Sequence, residues 1–561
     1  MYDPALPRGR VFLPAMLSGL LMYASYFPLS LGFLAWVALV PLLTLVRANA
    51  RPRRIAFAAF VGGLFCFVPA ISWIRVAHPA MYASWLVISV YCSIFLTVSV
   101  MVIRRLVRAR VPLWAAVPVV LVAADYFRAH FPTGFTWLDL FGAHRAIGFG
   151  WYMLGYTQHH WIALIQISDV TGVYGVTFVV ALVNAAIFSA LDRDATFRRC
   201  LRTPMARPRA PLAGSLVAAT LLVATLGYGL VRLHHDDFEA GPQVALIQGN
   251  LPQDLKNDRG NEMAQHFDAL ADRVFRTPGM PKPDLVVWPE TSYTLTWIDI
   301  APGVNLRTVP LPFQREYNMS RLIVEEDSRR WPAHILYGLN RVEWEDADHL
   351  WKYNTALLVD PKGTPTGRYD KIHLVPFGEY VPFVETFPFM KTFTPYEGDY
   401  SCKPGERWTR FAMKANGRQF TFACVICYED SDPSMAREYV APAAPPVDFF
   451  VNISNDGWFN GTAEHEEHLA ICRFRAVETR RSVVRAVNMG ISAIIDPDGR
   501  VVALPGETWA KSKKVDGIVR GSIPLDTRTT IYGEHGEWLP VGCWLFLIAM
   551  AVRGLFRRRP A

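Results

Sequence analysis

The chain has 561 residues, 52% hydrophobic, 13% aromatic and 19% charged, with a formal net charge of +8. That is too apolar for an ordinary soluble enzyme and too charged for a protein built only of membrane helices, which leaves a membrane region joined to a soluble one. The arginines gather beside the apolar segments, which argues against nucleic-acid binding, and eight cysteines without paired spacing exclude a disulfide framework or zinc ribbon.

Spans of about 17–25 residues fit 11–27, 29–46, 55–75, 81–103, 112–128, 168–191, 211–233 and 538–556. The first two are short and meet at Tyr26-Phe27-Pro28, so they can form a re-entrant pair. No small-residue cleavage pattern follows the first, so a removable signal peptide is not expected. Basic residues cluster at Arg8 and Arg10, at Arg47–Arg54, at Arg104–Arg110, in 193–209 and at Arg553–Arg559. These are alternate connections, as eight spans with both termini in the cytoplasm require, and the domain after the seventh span then lies outside. Ionisable residues inside spans are scarce, with Asp125 and Asp169 near span ends, which speaks against a transporter. The expected organisation is a membrane region over 1–233, a soluble domain over 242–525 and a closing helix over 538–556.

In the soluble part β-rich runs recur: QVALIQGN (243–250), DLVVWPE (284–290), HILYGLN (334–340), NTALLVD (354–360), FTFACVICYE (420–429), DFFVNIS (448–454), SVVRAVN (482–488) and SAIIDPDGRVVAL (492–504). Helical patterns lie between them near 260–276, 316–330, 430–440 and 464–481, so the fold class is α/β with helices covering sheets. Pro-Lys-Gly at 361–363 and Pro-Asp-Gly at 497–499 mark turns.

Several of these runs end in reactive groups. DLVVWPE delivers Glu290, RYDKIHLVPFGEYVP delivers Lys371 and Glu379, FACVICYED delivers Cys427 and Glu429, and VNISNDGWF ends near Trp458. Singly each has a plain structural reading: a helix-cap acid, a surface charge, half of an ion pair, a small buried thiol. Together they form a working set. A thiol with an ordinary pKa of about 8.5 needs activation, a carboxylate can take its proton, and an ammonium can stabilise the oxyanion of an attacked acyl carbonyl. A sharp strand-to-helix turn would expose the Cys427 sulfur near backbone N–H groups. Strand alternation would point Cys424 and Cys427 to opposite faces, so no disulfide is expected between them and Cys424 reads as packing. His465 and His468 are spaced i, i+3 rather than as in HExxH, with no third ligand evident, so no metal is expected.

At these residues the soluble part resembles the nitrilase (carbon–nitrogen hydrolase) superfamily, and the whole chain closely resembles the bacterial apolipoprotein N-acyltransferase family. The matching stretches include ALIQGNLPQ, VVWPET, YNTALLV, LVPFGEYVP, CYED, NISNDGWF and RFRAVETRRSVVRAVNMGIS, and SDVTGVYGVTFVVALVN in the membrane part. The resemblance implies a nitrilase-like αββα sandwich inserted between transmembrane helices. It implies a Glu290 general base, a Lys371 that stabilises the tetrahedral intermediate and a Cys427 nucleophile. Glu379 would balance Lys371, while Tyr428, Glu429, Asn354 and Trp458 would shape the site or hold lipid. The implied reaction passes an acyl chain from a glycerophospholipid through a Cys427 thioester to the α-amine of a diacylglyceryl-modified apolipoprotein. It needs no metal or other cofactor and takes place at the periplasmic side of the inner membrane. Three positions depart from the family pattern: Asn257 follows Lys256 where an aromatic is usual, GFTW (134–137) and LGYTQ (154–158) are separated by an insertion, and Glu466-Glu467-His468 stands where Gln-His is commoner. A membrane-tethered amidase using water, and a non-enzymatic scaffold, are the alternatives.

Overall fold

A computed structural model of the chain describes residues 10–131, 148–201, 211–234, 237–252, 260–346, 349–381, 384, 388–389, 400–443 and 445–556. The GFTW segment and the Lys256-Asn257 pair lie outside the described residues.

Among the described residues, five helices are long and apolar enough to cross a membrane: Pro52–Val76, Met81–Arg108, Val173–Leu191, Leu212–Leu233 and Trp538–Leu555. Shorter apolar helices, Phe12–Ser25 and Gly32–Arg47, fall where the two short spans are expected, and Leu113–His130 occupies the fifth position. The Gly32–Arg47 run breaks near Leu39, where Asn184 accepts from the Leu39 N–H at 2.9 Å and donates to the Ala35 carbonyl at 2.8 Å. Without water, a broken backbone needs such a side chain to satisfy it. Helices Phe12–Ser25 and Pro52–Ala70 touch through small residues, since a Cβ on Gly19 would lie 2.1 Å from the Gly62 carbonyl oxygen. Leu216, Val223, Leu545 and Ile548 on the last two long helices are exposed, a surface suited to hydrocarbon.

The expected span 168–191 is in fact two pieces. Gly172, at φ +65°, separates Ser168–Thr171 from Val173–Leu191, and the freed N–H of Val173 donates to Glu478 Oε1 at 2.8 Å. A carboxylate from the soluble part thus sits at the positive end of a membrane helix.

Among the described residues the soluble part has thirteen strands. They are β1 (Glu239–Gln248), β2 (Leu285–Val287), β3 (Trp297–Ile300), β4 (His334–Trp344), β5 (Leu350–Val359), β6 (Pro365–Asp370) and β7 (Phe411–Ala415). Then follow β8 (Arg418–Ile426), β9 (Phe449–Ser454), β10 (Ser482–Val487), β11 (Ala493–Ile495), β12 (Val501–Ala503) and β13 (Gly517–Leu525). One sheet has the order β13-β1-β2-β4-β5-β6 with β3 beside β4, and the other β12-β11-β10-β9-β8-β7. Val244 and Leu246 face Phe422, Cys424 and Ile426 in the layer between the sheets, while the alternate residues Ala245 and Ile247 face helix Gly260–Arg276. Ala423 on the second sheet faces Leu469, Cys472 and Ala476 of helix Glu464–Thr479. This is an αββα sandwich, its inner strands such as β2, β9 and β10 buried on both faces as the period of two dictates.

Helix Glu464–Thr479 is buried along its whole length despite its charges. Leu469, Cys472 and Ala476 pack on the sheet, and Ile471, Phe474 and Val477 pack into the membrane region's core. Its charged residues are spent at that junction. Glu467 accepts from the Phe27 N–H at 2.8 Å, Arg475 pairs with Glu478 at 2.8 Å, and the following Arg480 pairs with Asp169 at 2.7 Å. The membrane region and the sandwich therefore meet over one continuous packed interface.

Candidate active site

The site lies where the parallel strands of both sheets end. β2 stops at Val287, Pro289 offers no further N–H, and Thr291 at φ +47° turns the chain so that Glu290 is directed inward, only 6% exposed. The neighbouring strand passes under this turn only because position 338 is glycine, where a Cβ would lie 2.2 Å from the Pro289 carbonyl oxygen. Lys371 follows β6 and is 1% exposed, its N–H bonded to the Asn354 carbonyl on β5 at 2.8 Å. Its ammonium is 2.9 Å from Glu379 and 3.4 Å from Glu290. The Asn354 side-chain amide donates to both carboxylates, at 2.6 Å to Glu290 and 2.8 Å to Glu379. The second Glu290 oxygen accepts the Asn455 N–H at 2.8 Å. Burial works against the ammonium, yet Glu379 and then Glu290 hold the Lys371 pKa well above its ordinary value.

Cys427 comes from the other sheet. β8 ends at Ile426, and Cys427 takes φ +52°, a left-handed conformation costly for a residue with a Cβ, before the turn Cys427–Ser431. The strain is held by Glu429. Its Oε2 accepts the Ile426 N–H at 2.7 Å, while its Oε1 accepts the Ile372 and His373 N–H groups at 2.8 and 3.0 Å and the Tyr369 hydroxyl at 2.8 Å. One carboxylate thereby ties the residue before Cys427 to the residues after Lys371. Burial and then the Glu290 charge push the Cys427 thiol up to about 12, against the pull of Lys371 and His468. Burial therefore favours the neutral thiol over the thiolate at this sulfur.

Cys424 is fully buried between the sheets and both cysteines are free thiols. The reason differs from the one strand alternation suggests. The strand ends one residue before Cys427, and both thiols border the same inter-sheet core, so it is the left-handed turn that separates them.

A family model described as carbon-nitrogen hydrolase matches residues 243–527, and one described as apolipoprotein N-acyltransferase N-terminal domain matches residues 18–186. An apolipoprotein N-acyltransferase of Geobacter metallireducens is 31% identical, over 98% of this chain and 96% of its own. The chain belongs to the apolipoprotein N-acyltransferase family. A relative of the same name from Rhodopirellula baltica is 27% identical, over 92% of both chains. A solved amidase from Nesterenkonia sp. is 17% identical and covers 51% of this chain and 91% of its own, with a TM-score of 0.32. As a member of the N-acyltransferase family, with apolar helices to match, the protein is an acyltransferase of a bacterial membrane.

Two of the residues expected around this N-acyltransferase site face the junction with the membrane region. The Tyr428 ring packs against the membrane core and its hydroxyl donates to the Gly148 carbonyl. Trp458, half-buried, sits in the turn Asp456–Phe459, and its neighbour Phe459 meets Trp73 edge-on with centroids 4.6 Å apart. The LGYTQ segment forms a buried turn, Leu154–Gln158, in which Gln158 donates to the Gly32 carbonyl at 2.8 Å.

The sequence raised His468 only as a metal ligand without a third partner; beneath the site it stands in a cluster with Asp456 and Glu464. Asp456, Glu464 and His468 bring one ligand atom each within 4.8 Å of one another. The Arg485 guanidinium stands 2.7 Å from Asp456, and His468 meets carboxylates at both ring nitrogens, a pattern of ion pairs rather than of metal ligation. His465 turns its Nε2 to the Asp456 carbonyl at 3.2 Å. The signal was present in NISND and HEEH but carried no spacing that distinguishes an ion-pair network.

Burial also sets a pH dependence of stability. It pushes Glu467 up to about 8, and burial beside Asp456 raises Glu464 as well. From about pH 4.5, the ordinary value at which the unfolded chain ionises these acids, up to about 8 the folded chain binds more protons than the unfolded one, so stability falls as pH rises. Thermal unfolding of the detergent-solubilised protein is expected to shift to lower temperature across that window. A flat or rising profile would show that these acids are ionised in the folded state.

Proposed function

We propose that the protein transfers an acyl chain from a glycerophospholipid to the α-amine of the N-terminal diacylglyceryl-cysteine of lipoproteins, with Glu290, Lys371 and Cys427 as the catalytic residues. The observation that carries the reading is the buried ammonium of Lys371 bridging Glu290 and Glu379 opposite the left-handed turn of Cys427. Glu290 takes the thiol proton as Cys427 Sγ attacks the ester carbonyl, and Lys371 stabilises the oxyanion. Collapse releases the lysophospholipid alcohol, which takes that proton back, and leaves the thioester. The lipoprotein amine then attacks the thioester, Glu290 receives the amine proton, and the thiol is regenerated with its hydrogen. Glu379 and Asn354 hold Lys371 and Glu290 in register. Tyr428 and Trp458, at the junction with the apolar helices, are suited to guide lipid to the sulfur.

The arginine clusters on alternate connections support an inner-membrane protein with both termini in the cytoplasm and the catalytic domain, about 242–525, on the periplasmic side. In that oxidising compartment a nucleophile kept protonated at rest is protected from oxidation. The test uses labelled phospholipid and a diacylated lipopeptide. A hydroxylamine-sensitive acyl-enzyme is expected in wild type and Cys424→Ser but not in Cys427→Ser, with the label passing to the peptide amine. Label that leaves only as free fatty acid would favour a hydrolase that uses water.

A further inference from the structure

Behind the nucleophile's turn lies a set of charges that the reaction above does not use. Asp430 stands in the turn Cys427–Ser431, and Asp456 follows Asn455, whose N–H holds Glu290. His468, 1% exposed on helix Glu464–Thr479, reaches both. Its Nε2 is 2.9 Å from Asp430 Oδ1 and its Nδ1 is 3.2 Å from Asp456 Oδ1. A ring that faces a carboxylate at each nitrogen donates from both and is an imidazolium. Arg485 on β10 pairs with the same two acids, at 2.7 Å to Asp456 and 3.5 Å to Asp430. Glu464 lies 3.2 Å from His468 Nδ1, the Cys472 thiol donates to Asp430 at 2.7 Å, and the Trp151 ring lies 5.4 Å away. Two cations thus balance two aspartates, while burial and the Asp456 charge raise the pKa of Glu464.

We propose that His468 is a positioning residue for the acylation step: its imidazolium is the strut that sets the Cys427 turn against the Asn455 turn holding Glu290, and it places fixed positive charge behind the sulfur. The geometry carries the first half, because His468 hydrogen-bonds through its two ring nitrogens to the turns of both nucleophile and base-holder from a third element, the buried helix, and Arg485 pairs with the same two acids from β10. The second half follows from placement: the His468 ring meets Asp430 within the turn that Cys427 opens, so its charge lies on that side of the sulfur and, with Lys371, pulls against the burial and acids that raise the thiol. A tilt of either turn would lengthen the proton path from Sγ to Glu290, and small misplacements of reacting groups cost large factors in rate. The inference rests on the assignment of Cys427 and Glu290 above.

The test uses the full-length protein in detergent, with His468→Gln compared with wild type. Alkylation of Cys427 by iodoacetamide, followed by mass spectrometry over a range of pH, is expected to slow about tenfold at neutral pH, its profile displaced upward by about one unit. Acyl-enzyme formation from phospholipid is expected to fall about tenfold or more, with KM for phospholipid unchanged. A purely structural role would lower the unfolding temperature without moving the alkylation profile. A folded His468→Gln protein with the wild-type profile and acylation rate overturns the proposal. Should that variant not fold, Asp430→Asn keeps the shape of the network and removes the anion that anchors the ring. It is expected to lose acylation about tenfold, and wild-type acylation in folded Asp430→Asn overturns the proposal equally. Failure of wild type to form any acyl-enzyme would instead sink the proposed reaction, leaving the alkylation comparison readable.

Discussion

Replacing Lys371 with methionine is expected to lower acyl-enzyme formation by about 10³-fold and to destabilise the fold by about 3–5 kcal/mol. Both effects come from one geometry. The ammonium is 1% exposed and stands between Glu290 and Glu379, which also share the Asn354 amide. Methionine fills much of the same volume but leaves two carboxylates close together in a buried site. One of them must then take up a proton, and if it is Glu290 the base is lost together with the oxyanion's partner. Single-turnover release of lysophospholipid measures the first effect and thermal unfolding the second. Wild-type acylation in a folded Lys371→Met protein would remove the lysine from the mechanism. A Lys371→Met, Glu379→Gln double variant is expected to regain stability but not rate, which separates the structural from the chemical contribution.

Glu429→Gln is expected to reduce acylation by about 10²-fold while the protein still folds. The carboxylate accepts from Ile426 on one oxygen and from Tyr369, Ile372 and His373 on the other. A glutamine can keep its carbonyl oxygen toward the larger group, but then its NH₂ faces the Ile426 N–H. Donor against donor in a fully buried place costs about 1–3 kcal/mol, and it falls on the residue before the strained Cys427. The expected signature is a lower kcat with little change in KM, because Glu429 touches the turn and not the lipid. A raised KM with an unchanged kcat would mean that Glu429 acts in substrate binding instead.

The fold class was legible because its local signals agree. Runs such as QVALIQGN and DFFVNIS are apolar on both faces, which in an α/β domain marks strands covered on both sides, and each became a strand of the sandwich. The strands not recognised, β3, β6, β7 and β13, all lie at sheet edges or off the main sheet order. Such strands carry polar residues, glycine and proline, as in GIVRGSIPL, and so lose the pattern that betrays an inner strand. Helix Glu464–Thr479 is the opposite case, a polar pattern on a buried element. Its charges suggest an exposed face, but they are consumed at a junction with the membrane region that no local pattern announces.

By itself the sequence determined the inner strands and which reactive side chains gather around them: Glu290 after an apolar strand, Lys371 and Glu379 eight residues apart, Cys427 at a strand-to-turn boundary. Those follow from periodicity and from the chemistry of the residues, both local properties. Only the tertiary structure decided that Asn354 binds both acids, that Glu429 ties the two halves of the site together, and that His468 stands beneath them between Asp430 and Asp456. These contacts join strands and helices far apart in the chain, and burial, which makes each unpaired polar group costly, is what selects them.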